Sequence, residues 1–170
     1  MPSSVRLATA HDLALVADIE AAADVAFEGV FDSSDWGTPP SGEERLAHPG
    51  FVLVVTESEE GPPVGFAHVI AHGSTAHLEQ VSVHPDHGRR GHGRALVEAA
   101  AAEAARRGFT LMTLRTFADV PWNAPFYATL GFVERPTPDD DFHRELAAAE
   151  HRLGLDRQGR RVHMELSLTP

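Results

Sequence analysis

The sequence contains no cysteine. This absence excludes disulfide bonds, thiolate ligands for a metal ion and a cysteine nucleophile that would carry an acyl group. Long apolar runs are also missing, and without about eighteen consecutive apolar residues no membrane-spanning helix is expected. The first residues, MPSSVRLATAHDL, show no basic segment followed by an apolar stretch, so we expect no secretory signal. These absences favour a cytoplasmic protein with no membrane partner.

Positive charge is scarce as well, since 14 basic residues face 25 acidic ones and the formal net charge is -11. Proteins that bind nucleic acids usually present a basic face, so we expect no DNA or RNA partner. One segment departs from this balance, because residues 84–94 read HPDHGRRGHGR, with three arginines against one aspartate. A local basic spot on an acidic protein suggests a site for a small anionic ligand.

The residues that are present suffice for one folded domain, which we predict over residues 1–170, since 42% of them are hydrophobic. Thr9 and Asp12 form a predicted capping pair for a helix from about His11 to about Phe27. Apolar periodicity and turn signals predict antiparallel hairpins first and a strand–helix–strand crossover later, and therefore a mixed sheet with helices packed on it. The predicted strands are 5–9, 51–58, 64–72, 76–84, 110–117, 132–136 and 161–169, and the other predicted helices are 41–47, 93–107, 122–130 and 139–154.

The most informative segment is VSVHPDHGRRGHGRAL at residues 81–96. A predicted strand ends near Val83, a glycine-rich turn follows, and a predicted helix begins near Gly93. Free backbone N–H groups and the helix dipole favour negative charge at such a helix start. Glycines let the backbone approach a phosphate closely, and arginines add charge-assisted contacts. The candidate phosphate-binding residues are Gly88, Arg89, Arg90, Gly91, His92, Gly93 and Arg94.

Two familiar phosphate motifs do not account for this loop. The triphosphate motif GxxxxGK[ST] is absent. A dinucleotide fingerprint requires GxGxxG directly after the first strand of a βαβ unit and an acidic residue on the next strand, whereas these glycines follow a third hairpin-type strand. The remaining alternatives are a plain glycine-rich turn and a different phosphate site, and a second motif favours the latter.

That second motif is NAPFYATLGF at residues 123–132. The loop at 88–93 resembles the pyrophosphate-binding motif (Q/R)xxGx(G/A) of the GNAT N-acetyltransferase superfamily, except that Gly88 replaces the usual Gln or Arg. Residues 123–132 resemble the second signature of that family, NxxFYxxxGF, and the two matches cover roughly residues 76–135. The resemblance implies a GNAT-like α/β (α+β) fold, with a mixed, mostly antiparallel sheet of about seven strands and helices on both faces. It also implies transfer of an acetyl group from acetyl-CoA to a primary amine of a small molecule, peptide or protein.

Tyr127, the only tyrosine of the chain, stands at the usual acid position of the family. Attack of an amine on a thioester expels a thiolate, and a phenol with a pKa near ~10 can protonate a thiolate whose thiol has a pKa near ~8.5. The simpler interpretation of Tyr127 is a core residue packed between helix and sheet. Asn123 has two compatible interpretations, as the N-cap of its short helix and as a polar contact to the coenzyme.

An amine nucleophile arrives protonated, so a base must take its proton directly or through water. In the family this base is often a carboxylate or histidine on the strand before the phosphate loop, which points to Glu79 or His77, two residues apart on one predicted strand face. Either residue can also be an ordinary strand residue. We expect Val81 and Val83 to continue that face, and by resemblance their backbone groups would pair with the pantetheine arm.

The acceptor pocket is expected between residues 21–49 and 136–160, with Phe27, Phe31 and Trp36 either lining it or belonging to the core. Eleven histidines raise the question of a metal, but no HExxH or other compact ligand set is present, so we expect none. The resemblance leaves open a homodimer, the acyl-chain preference and the identity of the amine, for which the acidic balance favours a cation. The alternative function is a catalytically silent acyl-CoA-binding module or sensor with the same fold.

Overall fold

The computed structural model describes residues 3–27, 31, 32, 34 and 36–168. They form a seven-stranded sheet in the order β1-β2-β3-β4-β5-β7-β6. Every neighbouring pair is antiparallel except β4 with β5, so the predicted mixed, mostly antiparallel sheet is confirmed. The strands are β1 Ser4–Leu7, β2 Gly50–Thr56, β3 Pro63–His72, β4 Thr75–Val83, β5 Leu111–Phe117, β6 Val133–Arg135 and β7 Arg161–Ser167.

Helices cover both faces of the sheet, as predicted. On one face, Leu96 and Val97 of α4 join an apolar cluster that includes Leu53 and Met112 of the strands. On the other face, Val16 and Ile19 of α2 pack with Val52, Val54 and Phe66. The helices are α1 Ala10–Leu13, α2 Val16–Val25, α3 Gly42–Leu46, α4 His92–Arg106, α5 Ala124–Thr129 and α6 Asp141–Arg152, with short 3₁₀ turns at Pro85–His87 and Leu155–Arg157.

The prediction of one helix from about residue 11 to residue 27 was wrong, because α1 and α2 are separated by a turn at Ala14 and Leu15. The capping pair at its start is confirmed, with the Thr9 hydroxyl accepting from the Asp12 amide and the Asp12 carboxylate accepting from the Thr9 amide. The turn lies where α3 crosses the chain, since a Cβ on Gly42 would stand 2.4 Å from the Leu13 carbonyl oxygen. Residues 28–30, 33 and 35 of the predicted pocket segment, and residue 169 of the last predicted strand, lie outside the described residues.

Strand β4 contains a bulge that changes which of its side chains face α4. His68 pairs with Gln80 while the next residue of β3, Val69, pairs with Leu78, so Glu79 is an extra residue in β4. Such a bulge shifts the alternation of side chains by one position. Val81 and Val83 therefore pack against the α4-side cluster, and the prediction that they continue the face of His77 and Glu79 was wrong.

Strands β4 and β5 are paired only at their first three positions, ending at His77 opposite Thr113. Beyond that point the two strands diverge, and the edge of β4 that faces β5 has no strand partner within the described chain. The divergence opens the sheet at its centre, next to the start of α4.

Candidate active site

The glycine-rich loop between β4 and α4 has the backbone conformation that its composition predicts. Arg89 adopts φ 59° and Gly91 φ 82°, and α4 begins immediately afterwards at His92. A Cβ on Gly91 would meet no atom within 4 Å, so its glycine is required by the positive φ and the surface above it is open. The loop therefore presents open backbone and the free N–H groups of a 15-residue helix to one exposed place.

Glu57, which follows β2, contacts three residues in and around this loop. Its carboxylate accepts from Arg90 at 2.7 Å and from His92 Nε2 at 2.9 Å, and His87 Nδ1 lies 3.1 Å away. The hydrogen bonds from His92, His87 and Arg90 lower the pKa of Glu57 to about 2. Nε2 of the buried His92 side chain is thus bonded to Glu57, and its Nδ1 is buried without a hydrogen-bond partner among the described residues. Nothing local in the turn sequence ESEEGPP distinguishes Glu57 from an ordinary solvated acid.

The arginines of the loop differ in how free their guanidinium groups are to bind an anionic ligand. Arg94 is engaged on the surface, because it donates to Glu98 at 3.1 Å and to Thr129 at 3.2 Å and so ties α4 to α5. Arg89 is exposed and forms no ion pair among the described residues. Arg89 is therefore the loop cation that is most available to an anionic ligand.

A cavity of about 380 Å³ opens where β4 and β5 diverge. Its lining includes Leu78, Val81 and Leu114 from the α4 side of the sheet and Glu79 and Arg115 from the opposite side, so it passes through the gap between the strands. The remaining lining residues are Glu20, Asp24, Phe27, Phe31, Trp36, Gly37, Thr38, Pro39, Pro40, Arg45, Gln80, Thr116, Phe117, Trp122, Asn123, Tyr127, Leu153, Leu155 and Arg161.

Tyr127 reaches the cavity from α5, with its ring against Phe126 and Phe132 at centroid distances of 5.2 and 5.8 Å. Burial raises the pKa of Tyr127 to about 12, and the positive charge of Arg161 opposes that rise. The hydroxyl therefore stays protonated at neutral pH and can act as a proton donor. Its side chain makes no hydrogen bond within the described part of the chain.

Asn123 lies beside Tyr127 in the cavity wall but does not cap its helix with its side chain. Asn123 is the N-cap residue of α5, as predicted, but its Oδ1 accepts from the Thr116 hydroxyl at 2.5 Å and not from a backbone amide of the helix. This bond fixes the start of α5 to the end of β5. Asn123 still lines the cavity, so its amide nitrogen can reach a ligand there.

Glu79 and His77 lie together, as their spacing predicts, but only Glu79 lines the cavity. His77 is buried, its Nδ1 is 2.9 Å from the Thr113 hydroxyl, and its Nε2 is 3.4 Å from Glu79 Oε2. Burial acts to raise the pKa of Glu79, but the hydrogen bond and charge of His77, with His68 and Arg45, outweigh it and the pKa is lowered. Glu79 is thus ionised at neutral pH and oriented by His77.

Two further carboxylates, Glu20 and Asp24 of α2, line the same cavity and were missed by the sequence reasoning. Glu20 forms a buried ion pair with Arg45. Burial raises the pKa of Glu20 to about 6; Arg45 opposes this, whereas Asp24 and Glu79 add to it. Burial also raises the pKa of Asp24. Their spacing of four residues was a signal that they share one face of α2, but nothing indicated which face met the cavity.

The predicted pocket aromatics Phe27, Phe31 and Trp36 all line the cavity, and Phe31 is also buried against Phe117 at a centroid distance of 4.6 Å. Within the described ranges, no three His, Asp or Glu side chains converge as metal ligands. No helix of the described chain is long and apolar enough to cross a bilayer.

Comparison with known proteins gives the family. The model of the acetyltransferase (GNAT) family matches residues 17–132, which is most of the chain and includes both motifs. The chain therefore belongs to the GNAT family of acetyltransferases.

Solved structures with the same fold extend over nearly all of the chain. The ribosomal-protein-S18-alanine N-acetyltransferase from Escherichia coli is 22% identical with a TM-score of 0.68, covering 99% of this chain and 96% of that one. The PaiA N-acetyltransferase from Thermoplasma acidophilum, solved in complex with coenzyme A, is 13% identical with a TM-score of 0.67, covering 98% and 99%. A phosphinothricin acetyltransferase from Sinorhizobium meliloti, in complex with acetyl-CoA, is 18% identical with a TM-score of 0.63, covering 98% and 89%. At these identities the likeness establishes the fold.

Proposed function

We propose that this protein transfers the acetyl group of acetyl-CoA to a primary amine by direct attack of the amine within a ternary complex. The observation that carries the proposal is one cavity, at the divergence of β4 and β5, into which a candidate base and a candidate acid both open. Strand β4, whose Val81 lines this cavity, leads into the loop at 88–93, whose composition and conformation suit a pyrophosphate group. Coenzyme A and acetyl-CoA are bound by relatives with the same fold.

The phosphates would be held by the loop backbone from Gly88 to Gly93 and by the guanidinium of Arg89. Arg90 would contribute from its ion pair with Glu57, and Arg94 would support α5 more than the ligand. The pantetheine arm would lie along the unpaired edge of β4, where the backbone groups of Val81 and Val83 can bond to its amides as an added strand would. Bound in this way, acetyl-CoA supplies an activated acetyl group in the gap between β4 and β5.

Glu79 would take the proton of the incoming ammonium, directly or through one water. It is a partly exposed carboxylate of the cavity, and its lowered pKa keeps it ionised. His77 would be a positioning residue, because the Thr113 hydroxyl and the Glu79 carboxylate occupy its two ring nitrogens. A carboxylate with a lowered pKa is a weak base, which suits transfer through water to bulk solvent.

Tyr127 would donate its proton to the sulfur of the leaving thiolate, and Asn123 would contact the coenzyme from the same wall. The raised pKa of Tyr127 keeps the proton on its hydroxyl until the sulfur becomes negative. The hydroxyl of Tyr127 therefore stabilises only the transition state, and it leaves the binding of acetyl-CoA in the ground state unchanged.

The test is release of the CoA thiol from acetyl-CoA in the presence of a panel of primary amines. We expect amine-dependent thiol release, and we expect Glu79→Gln to lower kcat/KM by ~10²-fold at neutral pH, as loss of a general base does. Glu98→Gln is a matched control, because Glu98 is an exposed carboxylate on α4 that contacts Arg94 at the surface. Binding of CoA without thiol release for any amine would favour the alternative, a silent acyl-CoA-binding module.

A further inference from the structure

One end of the cavity carries an excess of positive charge. Arg115 Nε donates to Glu150 Oε1 at 2.8 Å, and Arg161 Nε donates to the same oxygen at 3.1 Å. All three side chains are nearly buried, with exposed fractions of 11%, 14% and 10%. Two guanidinium groups that share one carboxylate leave one buried positive charge without a carboxylate of its own among the described residues, and such a charge is unfavourable unless an anion compensates it.

The two arginines also have donors to spare. Arg115 donates hydrogen bonds from Nε and from Nη1, the latter to the Thr137 hydroxyl at 2.9 Å. Arg161 donates from Nε, and its Nη2 lies 3.0 Å from Glu150 Oε1. Within the described residues this leaves Nη2 of Arg115 and Nη1 of Arg161 without a hydrogen bond. Both arginines line the cavity, so a planar anion such as a carboxylate can accept from both.

The opposite side of the cavity carries an excess of negative charge. Glu20, Asp24 and Glu79 line it, and Arg45 is the arginine that lies among them. Burial raises the pKa of Glu20 and Asp24, and at Glu20 the negative charges of Asp24 and Glu79 add to the rise through electrostatic repulsion. An ammonium group is the chemistry that would relieve it.

Strands β4 and β5 place these two charged groups on either side of one opening. The last paired residues of β4 and β5 are His77 and Thr113, and their side chains are bonded to each other on one face of the sheet. Two residues further along each strand stand Glu79 and Arg115, which therefore flank the opening from its two sides. A ligand with an ammonium and a carboxylate on neighbouring atoms matches this arrangement.

The outer wall of the cavity is aromatic. Phe31 stacks on Phe117 at 4.6 Å, and Phe27 stacks on Trp122 at 6.0 Å. Trp36 completes the wall at 6.3 Å from Phe31. The guanidinium of Arg161 lies 4.5 Å above the Phe117 ring, so the cationic end and the aromatic wall are continuous.

We infer that the acceptor amine is a free α-amino acid with a bulky apolar or aromatic side chain. Its ammonium would lie at Glu79, its carboxylate at Arg115 and Arg161, and its side chain against the aromatic wall. In the reaction one ammonium proton first goes to Glu79, and the amine nitrogen then gains a bond to the acetyl carbon as the carbon–sulfur bond breaks. Tyr127 gives its proton to the departing sulfur, and the second proton lost by the nitrogen returns to the Tyr127 oxygen directly or through water, which gives the N-acetyl amino acid and the CoA thiol. This inference rests on the proposed acetyl transfer.

The experiment compares four amines in the thiol-release assay. Phenylalanine has all three features; phenylalanine amide and phenethylamine lack the carboxylate; glycine lacks the side chain. We expect kcat/KM for phenylalanine to exceed that of each of the others by at least ~10-fold. A substrate without the carboxylate leaves Arg115 and Arg161 unpaired, and a substrate without the side chain leaves the aromatic wall uncovered. Equal or better turnover of phenylalanine amide, phenethylamine or glycine would overturn the inference.

Arg115→Gln tests the carboxylate contact, and Arg160→Gln is its control, because Arg160 is an exposed arginine bonded to Glu134 on the surface. Arg115→Gln should bring the ratio of kcat/KM for phenylalanine to that for phenylalanine amide close to one, while Arg160→Gln keeps it. General structural damage would lower both substrates alike and leave the ratio unchanged, which would count against the contact.

A binding measurement separates this inference from the function itself. Both tryptophans of the chain, Trp36 and Trp122, line the cavity, so phenylalanine should change tryptophan emission saturably without any turnover. Acetylation of other amines with neither binding nor turnover of phenylalanine would refute the inference and leave acetyl transfer intact. Binding of CoA with no thiol release from any amine would refute acetyl transfer and the inference with it.

Discussion

Replacing Tyr127 with phenylalanine removes one hydroxyl and almost nothing else. The ring keeps its contacts with Phe126 and Phe132, and the hydroxyl has no side-chain hydrogen bond within the described chain. No partner is therefore left unsatisfied, and the change in the free energy of unfolding should stay below ~1 kcal/mol. A thermal melt of the variant should coincide with that of the wild type.

The effect on the rate follows from the pKa of about 12. A general acid is worth ~10²–10⁴-fold in rate. A phenol whose pKa lies above its ordinary value near ~10 is a weaker acid, and a leaving thiolate can also depart unaided, since its pKa is near ~8.5. Both considerations place the expected loss in kcat at the lower end, ~10–10²-fold.

The assay is steady-state thiol release with an amine that the wild type accepts, combined with calorimetry of CoA binding. The loss should fall on kcat and on kcat/KM equally, with the affinity for CoA unchanged, because the hydroxyl acts only when the sulfur becomes negative. If Tyr127→Phe instead turns over at the wild-type rate across the pH range, Tyr127 is a packing residue and another group, or water, protonates the sulfur.

Three other outcomes follow from the structure. Gly91→Ala and Gly73→Ala each place a Cβ in open space at positive φ, so each should lower the free energy of unfolding by ~1–2 kcal/mol. Only Gly91→Ala should weaken CoA binding in calorimetry. Equal effects of the two variants on binding would show that Gly91 does not belong to the site. Burial of Glu20 raises its pKa from 4.5 to about 6, so its ionisation should destabilise the folded state by ~2 kcal/mol as the pH rises from 4.5 through 6, a cost absent below 4.5. Urea titrations at several pH values should therefore show a smaller decline over that window for Glu20→Gln, and an unchanged decline would argue against the buried carboxylate. The chain has neither cysteine nor lysine, so double-reciprocal plots should intersect and the protein should gain no acetyl mass, whereas parallel lines with an acetylated protein would point to a covalent intermediate.

Much of the fold could be predicted from the sequence because its signals are local. The capping pair of Thr9 and Asp12, the alternation of apolar residues in the strands and the glycine before α4 each specify structure within a few residues. The break between α1 and α2 has no such signal. It is caused by α3, whose Gly42 lies against Leu13 from a distant part of the chain, and helix propensity alone favours continuing the helix through Ala14.

The sequence motifs indicated the candidate residues of the glycine-rich loop, β4 and α5, but they did not indicate the residues that surround them. Tyr127, Glu79 and the loop glycines stand in recognisable patterns of spacing. The tertiary fold alone gives Glu57, Glu20 and Arg115 their roles. It brings the turn after β2, with Glu57, against the glycine-rich loop, and it brings α2 and β5, with Glu20 and Arg115, to the cavity. Sequence alone gave no means of ranking these among the 25 acidic residues or the 14 arginines.

The extra residue in β4 constrains how this chain can change its length. A single insertion between residues 77 and 83 would reverse the alternation of every side chain on one side of it, whereas deletion of Glu79 would remove the bulge and the candidate base with it. Either His77 and Glu79 would turn into the apolar layer beneath α4, or Val81 and Val83 would turn toward α2. Strand β4 should therefore tolerate substitutions far better than changes in length, and the bulge at Glu79 should persist in any variant that keeps both the base and the core.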